Sequence, residues 1–326
     1  MGVALTLAQG IHRTAVPEFL LDNLVWRPNI EPGLWIVVET DPIRIDRTFG
    51  LFLYFLSATI SYYFVYDHRA MQHPKFLRNQ IPLEINQALH AMPLMSALTA
   101  PFFVAETQGW TKLYDFPSEA PFSLYNWIQY PLFIAFTDFG IYWIHRALHY
   151  PFIYKRFHKP HHKWIISTPY ASYAFHPLDG WAQSVPYHVF PILFPLQKVA
   201  YLGLFTFVTV WTVMIRTYLS FWDTSESHAN CLADDGEYAT NSPVINGSAC
   251  HTIHHYYFNY NYGQFTTFWD RVGGSYRKPN IELFDREQRL QKNTIDKQVK
   301  EMNQLVTEVE GKDDRTYGGG DTKKDS

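Results

Sequence analysis

His145-Arg146-Ala147-Leu148-His149, His158-Lys159-Pro160-His161-His162 and His251-Thr252-Ile253-His254-His255 form a series of three histidine clusters within a single chain. On a helix, residues four apart lie one above the other on the same face, so His145 and His149 point at a common spot. The second and third clusters add a histidine at the third position, so each element is able to reach two neighbouring ions. Together the clusters supply eight imidazoles: His145, His149, His158, His161, His162, His251, His254 and His255. A tetrahedral zinc uses at most four protein ligands, so eight point to two metal ions. Imidazole suits zinc, iron, copper and nickel, so donor type alone leaves the metal open. Soluble di-iron bundles use Glu-x-x-His motifs, and none flanks these clusters.

Working outward, the rest of the chain reads as membrane-embedded. Of 326 residues, 47% are apolar, 17% aromatic and only 17% charged, against roughly a quarter charged in soluble domains. Apolar runs fall at 49–66, 88–104 and 122–144, and a fourth, 184–215, is too long for one crossing. It breaks at Pro195-Leu196-Gln197-Lys198 into two short halves, which would return the chain to the side it left. The fold class expected is therefore all-α and polytopic, with about four transmembrane segments and a cytosolic helical cap holding a histidine-bound dinuclear metal site. A net charge of -3 gives no reason to expect nucleic acid. Cys231 and Cys250 alone build neither a disulfide framework nor a thiolate cluster. Lys323-Lys324 near the C-terminus resembles a dilysine retrieval signal, which would place a multi-pass protein in the endoplasmic reticulum membrane with its tail in the cytosol. The sequon Asn246-Gly247-Ser248 beside the third cluster would then never be glycosylated.

Longer stretches carry a family resemblance. The Thr137-Asp138-Phe139-Gly140-Ile141-Tyr142-Trp143-Ile144-His145-Arg146 run, Phe175-His176-Pro177-Leu178-Asp179-Gly180, and the stretch from Pro243 through His255 to Tyr276 resemble the sterol C-5 desaturases. That group is a branch of the integral-membrane fatty acid hydroxylase and sterol desaturase superfamily, and the likeness spans roughly Arg47 to Lys278. The resemblance implies a dinuclear iron centre and oxygen as oxidant. It also implies electrons from NADH or NADPH through cytochrome b5 and its reductase, and removal of two hydrogens across C-5 and C-6 of a delta-7 sterol in ergosterol-type biosynthesis. Zinc has no redox chemistry, which agrees with iron. Sterol C-4 methyl oxidation or lipid hydroxylation, and a catalytically inactive sterol-binding or regulatory role, are the alternatives. Domain boundaries follow: 1–46 an N-terminal segment, 47–278 the membrane-embedded domain, and 279–326 a charged cytosolic tail.

One segment departs from the resemblance. Sterol C-5 desaturases similar to this chain read Ile-His-Asp-Gly-Glu after the fourth apolar region; here Ile215 is followed by residues 216–234 before Asp235-Gly236-Glu237. Arg216-Thr217 permits a splice-donor codon string, Ala229-Asn230 a branch point, and Ala233-Asp234 an acceptor whose joining yields a His codon. The expectation is a translated intron at 216–234, the alternative a genuine loop in which His228 replaces the lost histidine. His176 and His188 are further candidates for touching metal or substrate. His12, His68, His73 and His90 read as ordinary surface or packing residues.

Overall fold

A computed structural model describes residues 35–217, 243–279 and 291–318. The described residues are mostly helical, with one two-residue parallel pair, β1 (Leu113–Tyr114) with β2 (Leu196–Gln197), and two isolated bridges. Three long helices come first: α1 (Trp35–Phe64), α2 (Gln80–Thr107) and α3 (Tyr125–Leu148). The chain then winds through α4 (Pro151–Ile153), a π turn (Tyr154–His158) and α5 (Lys159–His162). The helices α6 (Pro177–Leu193) and α7 (Lys198–Met214) are separated by β2, at the break read from Pro195 to Lys198. The third histidine cluster lies on α8 (Ser248–Tyr257), followed by α9 (Phe268–Val272) and α10 (Lys292–Glu310).

Among the described residues only α2 is both long and apolar enough to cross a membrane by itself. It contains Pro93 and Pro101, yet it remains one helix, because packed neighbours compensate for the lost hydrogen bonds. It also starts earlier than its apolar run. Its first turns, from Gln80, carry polar side chains into the protein rather than out of it. Glu84 accepts from the Thr168 hydroxyl and from Gln80, and Gln87 donates to the Pro160 and Ala174 carbonyls at 3.1 and 2.9 Å. Those bonds tie α2 to the segment carrying the second histidine cluster.

Apolar surface faces outward on the long helices. Phe52, Tyr63 and Phe64 of α1, Trp127 of α3 and Leu202 of α7 are all more than half exposed. Inside, α3 and α6 form the most extensive helix pair. Gly140 permits it: a Cβ there would lie 2.7 Å from the Pro186 ring. Asp138, two residues earlier, accepts the Phe265 backbone N–H at 2.8 Å and is bonded by the Thr266 hydroxyl, so α3 anchors the loop after α8. Where charged composition suggests a solvated tail, α10 lays one apolar edge on the cap: Met302 and Val306 join Tyr154, Ile253 and Phe258 in one buried cluster.

Candidate metal centre

The eight clustered histidines converge, and the fold divides them into two groups. His145, His149, His158, His162 and His254 bring one ring nitrogen each to within 4.8 Å of one another; His161, His251 and His255 do the same nearby. The division follows helical geometry. Residues four apart keep one face while the third is rotated away, so His158 and His162 go to one group and His161 to the other. On α8 the same rule sends His251 and His255 together and His254 across. His149 stands just past the end of α3, and Phe258, at a φ of 60°, ends α8 and turns the chain back over the rings.

Three rings of the larger group are oriented from behind. His145 Nδ1–H donates to the Tyr262 carbonyl at 2.9 Å, His254 Nδ1–H to the Tyr260 carbonyl at 2.7 Å, and His158 Nδ1–H to Asp179 Oδ2 at 2.8 Å. Each partner only accepts, so Nδ1 carries the proton and Nε2 turns a lone pair inward, the arrangement typical of metal-binding imidazoles. Lone pairs then face each other: His145 Nε2 and His158 Nε2 are 3.2 Å apart. His149 Nε2, His254 Nε2 and both nitrogens of His162 are buried with no hydrogen-bond partner among the described residues. Buried polar atoms without partners are costly, and a cation at their centre would satisfy one nitrogen of each of these three rings. This group fits a metal ion.

The smaller group holds a cation of the protein's own. Arg216, at the end of α7 and fully buried, donates from Nη2 to His161 Nε2 at 2.6 Å and from Nη1 to His255 Nε2 at 3.4 Å. His255 Nε2 and His251 Nε2 lie 3.1 Å apart. Burial draws the Arg216 guanidinium down to about 9, still charged at neutral pH. Burial first, and then Arg216, hold His161 and His251 well below the ordinary imidazole value. In the larger group burial and the neighbouring rings do the same to His149, His162 and His254. All are therefore neutral, as metal ligands must be.

The remaining histidines among the described residues stand apart from both groups. His176 caps α6, its Nδ1 accepting the Leu178 backbone N–H at 3.2 Å. His188 is buried, bonded to the Tyr201 hydroxyl at 3.1 Å and stacked on Phe102, with one edge on the cavity described next. His73 and His90 bond backbone groups near them, and His68 packs on Tyr62. His12, His228 and most of 216–234 lie outside the described residues. Asp179 and Asp270 enter the sequence only inside family-like stretches, yet both position the rings: Asp270 accepts the Tyr262 and Gly263 N–H groups, each at 2.8 Å, fixing the carbonyl that holds His145. A lone acid in a charge-poor run is the signal that marks them.

A cavity connects the two histidine groups to the helices. Met92, Met95, Tyr187 and Val208 form its apolar wall, and His145, His161, His251 and Arg216 its polar end. A mostly apolar pocket with a few convergent polar groups is the usual form of a small-molecule site.

Residues 130–275 match the model of the fatty acid hydroxylase family. The chain is 69% identical over 278 residues to a Delta(7)-sterol 5(6)-desaturase of Aspergillus fumigatus, covering 85% of this chain and 77% of that protein. It is 56% identical to a probable Delta(7)-sterol 5(6)-desaturase of Neurospora crassa (85% and 75% covered) and 49% identical to the Delta(7)-sterol 5(6)-desaturase of Saccharomyces cerevisiae (87% and 72% covered). No solved structure matches.

Proposed function

The chain belongs to the fatty acid hydroxylase family, in its branch of fungal Delta(7)-sterol 5(6)-desaturases, and on that premise we propose the reaction it carries out. It is an oxygen-dependent oxidoreductase that introduces the C-5(6) double bond into a delta-7 sterol. The sterol gives up two hydrogens, and with two further electrons and two protons one O2 is reduced to two waters. The relatives named above all bear the desaturase name, which favours this reaction over sterol C-4 methyl oxidation or lipid hydroxylation. The observation that carries the reading is the cavity, whose apolar wall of Met92, Met95 and Tyr187 leads to the histidine donors.

Once Arg216 is replaced, the donor set would suit a dinuclear iron centre, the larger group holding one ion and His161, His251 and His255 the other. Bound iron would supply the oxidising power needed to break an unactivated C–H bond. The protein's own part is separable from that chemistry. Asp179 and the Tyr260 and Tyr262 carbonyls hold three rings with their lone pairs inward. The apolar wall orients the sterol and keeps water from the reacting carbons.

Electrons from NAD(P)H through cytochrome b5 and its reductase, and an endoplasmic-reticulum membrane location with metal centre and C-terminus in the cytosol, complete the proposal. Basic residues around the second cluster support that orientation. Arg146, Lys155, Arg156, Lys159 and Lys163 follow one another with no acid between them, the bias of cytosolic segments. The exposed apolar faces of α1, α2, α3 and α7 support about four membrane segments, with α6 and α7 sharing one. Residues 47–278 form the embedded unit in this proposal, and 216–234 a translated intron whose removal would replace Arg216 by His.

The test is complementation of a yeast lacking sterol C-5 desaturase, by the chain as given and by one with 216–234 replaced by a single His. Conversion of delta-7 sterol to the 5,7-diene by the shortened chain is expected. Absence of the diene with both chains, each present in the membrane, overturns the assignment. Sequenced transcripts that retain 216–234 overturn the intron.

A further inference from the structure

We propose that Arg216 is the resident cation of the three-histidine group, so that this form of the chain binds metal only in the five-histidine group. The inference rests on the reading of both groups as metal-binding. Arg216 engages both ring nitrogens of His161, Nε2 at 2.6 Å and Nδ1 at 3.3 Å, and Nε2 of His255, and both rings belong to the group made with His251. A lone pair that accepts a guanidinium N–H at 2.6 Å is not available to a metal. Arginine is always a donor and keeps its charge, so no change of tautomer frees the nitrogen.

Charge and space act in the same direction. A divalent ion among these rings would stand within a few ångströms of a buried positive charge, with no carboxylate in salt-bridge contact with Arg216 among the described residues. The nearest acids felt by the guanidinium, Glu84 and Asp179, are already engaged by Gln80 and Thr168 and by His158 and Gln183. The side chain is held in place rather than hanging into the pocket: its guanidinium lies over the Phe175 ring, 5.6 Å from the centroid, and the residue is 4% exposed. The larger group has no such occupant. Its unpartnered nitrogens on His149, His162 and His254 remain open to an ion. One pocket therefore accepts a metal and the other is closed by the chain itself.

The experiment is metal stoichiometry on detergent-purified protein, by anaerobic titration with Fe(II) and with redox-inert Zn(II), read by elemental analysis per chain. The chain as given should bind about one ion, and Arg216→Met or Arg216→His about two, since either frees the imidazole lone pairs. His162→Ala in the chain as given should abolish binding, whereas His251→Ala should leave the single ion in place. Thermal unfolding of each variant without metal identifies any that fail to fold, and the Met and His substitutions serve as independent replacements. Two ions in the chain as given overturn the proposal while leaving a dinuclear centre standing. One ion in every Arg216 variant also overturns it, because Arg216 is then not what closes the pocket. Loss of the ion in His251→Ala but not His162→Ala places the metal in the wrong group and does the same. No binding by any folded form overturns the metal assignment itself.

Discussion

Removing the carboxylate of Asp179 should weaken metal binding without touching a metal ligand. Asp179 and His158 are both fully buried, and the 2.8 Å bond from His158 Nδ1–H to Asp179 Oδ2 sets which nitrogen faces the centre. In Asp179→Ala the Nδ1–H loses its acceptor. A buried donor left without a partner costs about 1–3 kcal/mol, and loss of such a supporting bond commonly lowers metal affinity about 10- to 100-fold. Asp179→Asn is gentler. Its amide oxygen accepts from His158, and Gln183, which now donates to Oδ1 at 2.7 Å, reverses its amide to receive the new N–H. Only charge assistance is lost, roughly half the strength of the bond, or about 1 kcal/mol and about fivefold in affinity. Competition with a chromogenic Fe(II) chelator measures the order parent, Asn, Ala. Unfolding of the metal-free proteins separates affinity from folding. An Ala variant that folds and binds within about twofold of the parent would refute the claim that Asp179 sets the His158 tautomer.

Gly273→Ala should destabilise the protein by about 1–3 kcal/mol, because the new methyl overlaps the hydroxyl of the fully buried Tyr142 and lies 2.6 Å from Arg146 Nη1. An unchanged unfolding midpoint would count against this packing. Stability of the metal-free chain should fall as pH drops from 7.5 to 5.5. His149, His162 and His254 have folded values well below 6.5, so below that value the unfolded state takes up protons that the folded state refuses. The loss approaches about 1.4 kcal/mol per pH unit for each such histidine, and a flat profile would contradict it. Asn246 should carry no glycan: it is 2% exposed and its side-chain amide donates to the Gly263 carbonyl. A glycosidase-induced shift in electrophoretic mobility would place this face in the lumen and reverse the proposed orientation.

The histidine clusters were legible because helical spacing is a local property: i, i+3 and i+4 determine which rings share a face before any packing is known. The break between α6 and α7 was legible for a similar reason, since Pro195 and the polar pair after it interrupt an apolar run. Membrane character was legible in composition, and the second apolar run lies on the one described helix long and apolar enough to cross a membrane, Pro93 and Pro101 notwithstanding. The polar first turns of α2 were not, since Gln80, Glu84 and Gln87 look solvent-facing until the second cluster is laid against them.

Which histidines of different clusters share a centre was decided by tertiary structure. His145 and His254 meet across more than a hundred residues, and no periodicity reports a contact of that range. The same holds for ring orientation, which depends on acceptors brought from other elements: Asp179 from α6 and the Tyr260 and Tyr262 carbonyls from the loop after α8. Arg216 shows the limit most clearly. In sequence it is the first residue of an anomalous segment. In the fold its guanidinium reaches His161 and His255, because the end of α7 points into the cap and a long side chain with a fixed charge fills the nearest set of lone pairs. Residue type and spacing specify what the donors are; only their arrangement in space decides what each lone pair is left to bind.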